Sequence, residues 1–147
     1  MFDTRDGTGG IDVGRIGTSS GRTSMVEIPV VSRWGLPPAG VSSIVINLTA
    51  TDSPTDGRGG YATVYPCSSQ RPLASNLNFL SAQAVANSVI AQVSARGTVC
   101  FFVDGSVHLL ADISGWMATG AGFNGLVPLR VVDTRENLGP VPGLLYS

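Results

Sequence analysis

Lysine is absent from this chain: all nine basic residues are arginine. A Walker A phosphate loop requires a lysine, so that chemistry is excluded. Charge of either sign is scarce, at 13% of residues, about half the usual share. The net charge of −1 leaves no electrostatic footprint for nucleic acid or an anionic membrane surface. No apolar run approaches the roughly 18–20 residues that a membrane-spanning helix needs, so membrane insertion by a helix is not expected. Met1 runs straight into Phe2-Asp3-Thr4-Arg5 without an apolar leader. Export would then require a leader already removed, excision from a longer chain, or release by cell lysis.

Helical periodicity is also missing. No stretch sustains a 3.6-residue apolar pattern, while 19 glycines and 9 prolines favour short strands and tight turns. With 147 residues, one domain with a sizeable core is expected. Val41 to Thr51 carries the clearest strand, with Ile44, Ile46 and Leu48 alternating against Val45, Asn47 and Thr49. Gly60 to Pro66 alternates in the same way and stops at Pro66, which cannot donate to a ladder. Ser75, Leu77 and Phe79 form its partner beyond a polar turn. Met25 to Val31 contains Pro29 and reads as an edge strand. Val85, Asn87, Val89, Ala91 and Val93 share one face of a further strand. The tight turn Ala95-Arg96-Gly97 predicts a hairpin to 98–103, and Asp104-Gly105 a second to Val107–Ile113. Residues 85–113 then form a meander, and a last short strand runs from Val127 to Val132. Residues 1–23, rich in turn residues, read as an irregular arm.

The expected fold is all-β: an antiparallel sandwich or jelly-roll-like barrel of about 8–10 short strands, with an N-terminal arm and a C-terminal edge strand. Residues 1–117 form the β domain. Residues 118–147 comprise a Gly/Ala spacer and a docking strand at 126–135, too apolar to hang free in water and placed either on its own domain or on a neighbouring copy.

Phe2-Asp3-Thr4-Arg5 recurs as Val132-Asp133-Thr134-Arg135, the mark of a tandem repeat. The chain thus holds one repeat and the opening of the next. An ordered set of motifs accompanies it: Val-Ile-Asn-Leu-Thr at 45–49, Gly-Tyr-Ala-Thr-Val-Tyr-Pro at 60–66, Arg-Pro-Leu-Ala-Ser-Asn-Leu-Asn-Phe at 71–79, Val-Ala-Asn-Ser-Val-Ile at 85–90 and Ala-Asp-Ile-Ser-Gly-Trp at 111–116. Over about residues 2–117 this set resembles a β-rich repeat module of secreted multi-modular actinobacterial proteins, and of actinobacterial phage tail and virion-surface proteins. The resemblance implies a non-catalytic module, extracellular or on a virion surface, with no cofactor. It carries no active site and no known ligand.

Candidate chemistry is sparse. Gly17-Thr18-Ser19-Ser20-Gly21 matches G-x-S-x-G, but Ser19 lacks the strand-turn-helix setting of a nucleophile elbow and reads as a turn. His108, the single histidine, lies mid-strand and reads as a sheet-face residue hydrogen-bonded to a neighbour rather than a triad member. One His and two Cys fall short of a zinc site without carboxylates. Asp3, Asp6 and Asp12 faintly resemble a calcium loop but lack its terminal Glu. Asp3 and Thr4 are expected to accept backbone N–H groups in a turn, with Arg5 paired to a carboxylate. Asn47, a formal glycosylation acceptor, and Asn76, Asn78 and Asn87 lie in strand patterns. They either satisfy backbone groups or present amides to sugar hydroxyls. Cys67 and Cys100 either form one disulfide or stay as buried thiols; they are expected to lie within bonding distance.

Two functions from different classes follow. One is a structural or adhesion module that self-assembles or docks a surface partner, with Asp3, Arg5, Asp133 and Arg135 in the assembly motifs. The other is a carbohydrate-binding module for a cell-wall glycan, with Trp34, Tyr61, Tyr65 and Trp116 as stacking platforms. A hydrolase built on Ser19 and His108 is the remote third.

Overall fold

The computed structural model describes residues 1–126 together with 131 and 133. Eight strands form two antiparallel four-stranded sheets packed as a sandwich, not closed into a barrel, and no helix occurs among the described residues. The strands are β1 (Phe2–Asp3), β2 (Met25–Pro29), β3 (Val41–Thr51), β4 (Gly60–Pro66), β5 (Leu77–Phe79), β6 (Val85–Gln92), β7 (Thr98–Asp104) and β8 (His108–Ala118). The first sheet has the order β1-β8-β3-β6 and the second β2-β7-β4-β5.

Alternation decides what is buried. Ile44, Ile46, Leu48 and Ala50 of β3 face Ala62 and Val64 of β4 and Val99, Phe101 and Val103 of β7 across one core, all buried. Burying such side chains contributes roughly 1.5–3 kcal/mol each. Phe2 meets the Phe101 ring edge-on at 4.9 Å between centroids, which closes the core at the β1 corner.

One expectation is corrected. Residues 85–113 are not a meander: β6 pairs with β3, β7 with β2 and β4, and β8 with β1 and β3. Each tight turn carries the chain from one sheet to the other. The turn at 95–97 does hydrogen-bond locally, Gly97 N to Ser94 O at 2.8 Å and Ser94 N to Thr98 O at 2.9 Å, but Val30 N takes the outward Gly97 carbonyl at 2.9 Å. Strands apolar toward a common core gain more by facing each other than by pairing edge to edge. The N-terminal segment is largely irregular, as expected, and it is tied to the sandwich at several points. Phe2 and Asp3 pair with Ala111 and Leu110, Ile16 bridges Val107, and Phe2, Thr4 and Ile16 are buried.

Strand β8 runs on past Ser114, where a bulge shifts its register against β3. The predicted strand at 127–132 and the docking segment at 126–135 fall outside the described residues except at Leu126, Val131 and Asp133; Leu126 and Val131 are exposed and Asp133 is buried.

Candidate cleft on the outer face of the second sheet

The outer face of the second sheet is built by the residues that alternate away from the core. Tyr61, Thr63 and Tyr65 of β4 lie across from Asp104, Phe102 and Cys100 of β7, and Met25 and Glu27 of β2 extend the rows of Phe102 and Cys100. Asn78 of β5 flanks Tyr61 on the other side. Aromatic rings on an outer face need cover. Residues 67–76, between β4 and β5, supply it.

That excursion is fastened at both ends. At its start, Cys67 is bonded to Cys100, with Cα atoms 5.0 Å apart. The register sets Tyr65 directly opposite Cys100, which brings Cys67, two residues on, to the face of its partner. At its end, β5 is only three residues long, and Asn76 extends the ladder with its side chain. Its backbone N–H donates to Ala62 O at 2.9 Å, and its Oδ1 accepts the Val64 N–H at 2.7 Å. Thr63 Oγ1 donates to Ala74 O at 2.7 Å. Asn87 Nδ2, on the edge of the first sheet, donates to Asn76 O at 2.7 Å, so the same residue links the two sheets. Asn76 and Asn87 therefore satisfy backbone groups, whereas Asn78 is exposed and Asn47 reaches only Thr49 Oγ1 at 3.4 Å.

Between excursion and sheet opens a cleft of about 490 Å³ lined by Tyr61, Arg71, Pro72, Leu73, Ala74, Ser75 and Asn78, within the size range of small-ligand sites. The Arg71 guanidinium lies over the Phe102 ring, 3.7 Å from its centroid, and Phe102 is tilted against Tyr61 at 6.1 Å. Gly60 permits the close approach of β7 here, since a Cβ would collide with the Asp104 carbonyl.

The four predicted platforms do not converge. Tyr61 lines the cleft. Tyr65, on the same face, is buried beneath the cover. Trp34 sits in the β2–β3 loop with Arg33 stacked on it at 4.6 Å, and Trp116 stands exposed near the end of β8 in the other sheet. Arg71 carried no such prediction. Its signal lay in the charge order: from Gly57 to Val103 the chain has Arg58, Arg71 and Arg96 but no Asp or Glu.

The remaining candidates are placed as follows. Ser19 lies in a turn, its N–H donating to Gly105 O at 2.8 Å. His108 Nδ1 is 3.1 Å from Thr4 Oγ1. Thr4 Oγ1 also accepts the Leu109 N–H at 2.9 Å, so it serves β8 and not a turn. Asp3 and Arg5 form a bidentate pair at 2.7–3.1 Å, and Asp3 Oδ1 also accepts the Arg5 N–H at 2.8 Å. The Arg5 side chain thereby holds the Asp3 carboxyl below the usual carboxylate range, against a smaller opposing effect of burial, and raises its own guanidinium pKa. Asp6 accepts the Thr8 N–H and Asp12 faces Arg22 at 3.7 Å, so the three aspartates are engaged separately. Glu27, Cys67 and Cys100 bring potential ligand atoms within 4.8 Å of one another, but the two sulfurs are bonded to each other. Arg135 lies outside the described residues; Asp133 is buried.

Comparison with protein-family models, with curated proteins and with solved structures finds no match.

Proposed function

We propose that this chain is a non-enzymatic structural or adhesion module of a virion or bacterial cell surface, acting by docking to a further copy of itself or to a partner protein. The observation that carries the reading is the twice-used Asp-Thr-Arg motif. Its first copy is a fastening device: Phe2 enters the core, Thr4 bonds the Leu109 N–H, and Asp3 and Arg5 lock the turn. Asp133 of the second copy is buried as well. A motif that fastens a chain to a sheet edge, present twice, suits a chain that links modules in series. The disulfide supports a location outside the reducing cytosol. Light scattering on the full chain tests this. Self-association that weakens in the double variant Asp133→Asn, Arg135→Gln is the expected result; a strictly monomeric protein that captures no surface partner contradicts it.

A second reading, carbohydrate binding, is favoured by the cleft beside Tyr61, where a partly exposed ring adjoins the Asn78 amide. Rings and amides together suit sugars, which present both C–H faces and hydroxyls. Absence of any signal on a glycan array and in a cell-wall pull-down removes it.

A further inference from the structure

We infer that the cleft between residues 71–75 and the Tyr61–Asn78 edge binds a saccharide unit carrying a carboxylate, with Arg71 as the residue that selects the charge. This inference rests on the carbohydrate-binding reading and adds the class of sugar.

Three features of the cleft converge. Arg71 has no carboxylate within ion-pair distance and donates no side-chain hydrogen bond to the described residues, although it is held in place by the Phe102 ring. Among the six other described arginines, Arg5 is engaged with Asp3, Arg22 with Asp12, Arg96 with Glu27, and Arg15 with the Asp52 carbonyl. A guanidinium stacked on a ring keeps its edge donors free, and that planar fork matches a carboxylate with two parallel N–H···O bonds. Beside it, Tyr61 offers a ring face to the C–H surface of a pyranose. Asn78 and Ser75 line the same space and supply donors and acceptors for hydroxyls. Asp104, across from Tyr61 on β7, takes the Thr18 hydroxyl at 2.8 Å and does not line the cleft. An uncharged sugar would leave the Arg71 fork facing water; a uronate places its one anionic group on the cleft's one cation.

The test is calorimetric titration of the full chain with hexasaccharides of galacturonate, of mannuronate and of alternating glucuronate, each beside its carboxyl-reduced, neutral counterpart. At least one acidic hexasaccharide should bind about tenfold or more tightly than its neutral form, the scale of a charge-assisted bidentate contact. Arg71→Gln should erase that preference and Arg71→Lys should keep only part of it, because an ammonium is not a fork. Arg58→Gln, which removes another exposed arginine outside the cleft, should leave it intact. Arg71 is exposed and rests only on the part-exposed Phe102 face, so its variants are expected to fold; an unchanged thermal midpoint verifies this. Equal binding of acidic and neutral forms, or a preference that survives Arg71→Gln, overturns the inference and leaves carbohydrate binding standing. No binding of any saccharide, acidic or neutral, overturns both.

Discussion

The outer faces of the two sheets are built from the same period-2 alternation and end in opposite conditions. On the first sheet, Asn47, Ser88 and Asp112 form one row across β3, β6 and β8, and all three meet water. Small polar side chains need no cover. On the second sheet the corresponding positions are Tyr61, Thr63, Tyr65, Cys100 and Phe102, and residues 67–76 are drawn across them. Thr63 is wholly buried in consequence. The difference teaches where a small sandwich makes a concave site. On the second sheet, a covering segment held a little above an aromatic face opens the cleft beside Tyr61.

The disulfide is the largest lever on that contrast. Replacing both Cys67 and Cys100 by serine releases the start of the cover and removes a cross-link spanning 33 residues. For a loop of that length the loss is roughly 3–4 kcal/mol, measured by denaturant titration. Limited proteolysis should then cut within 68–75 and spare the first sheet. Cleavage spread evenly over both sheets would mean that the bond staples the whole domain and not the cover.

Asn76 comes next. Asn76→Ala leaves the Val64 N–H without its acceptor, a cost of about 1–3 kcal/mol for a buried donor. Asn47→Ala, on the open face, should fall within about 0.5 kcal/mol of wild type. Equal effects of the two would erase the distinction between a fastened and an open face.

The smallest effect lies at the β1 corner. Arg5 lowers the Asp3 pKa, so the unfolded chain takes up that proton more readily than the folded one. The pair's contribution is therefore present above the ordinary carboxylate value of about 3.9 and lost as pH falls below it through the folded value. Asp3→Asn should flatten the stability curve below about pH 4 and change stability little near neutrality, since Arg5 is half exposed. An unchanged acid limb would show that the pair adds nothing to folding.

Much of the sandwich was legible in the residues. Ile44, Ile46 and Leu48 announce β3, and Pro66 marks the end of β4, because alternation and proline act locally. Sheet membership was not legible. A turn such as Ala95-Arg96-Gly97 has the same chemistry whether it joins paired strands or carries the chain across the sandwich, and only the shared core decides. How firmly the irregular N-terminal segment is tied down was not legible for a related reason. Phe2, Thr4 and Ile16 are isolated among glycines and polar residues, so they show no period, yet each fills a corner of the core. The cleft was half legible. Tyr61 stood out as an outward ring, but the stacking of Arg71 on Phe102 joins residues of the cover and of β7 that no local pattern connects.

If the proposed saccharide binding holds, it belongs to the covered face. Amide-shift mapping by two-dimensional NMR on the full chain, titrated with the uronate and neutral hexasaccharides, tests it most directly. The account predicts perturbations at Tyr61, Arg71, Leu73, Ser75 and Asn78, with Asn47, Ser88 and Asp112 unmoved. Perturbations centred on the row of Asn47, Ser88 and Asp112, or none at saturating saccharide, would contradict it.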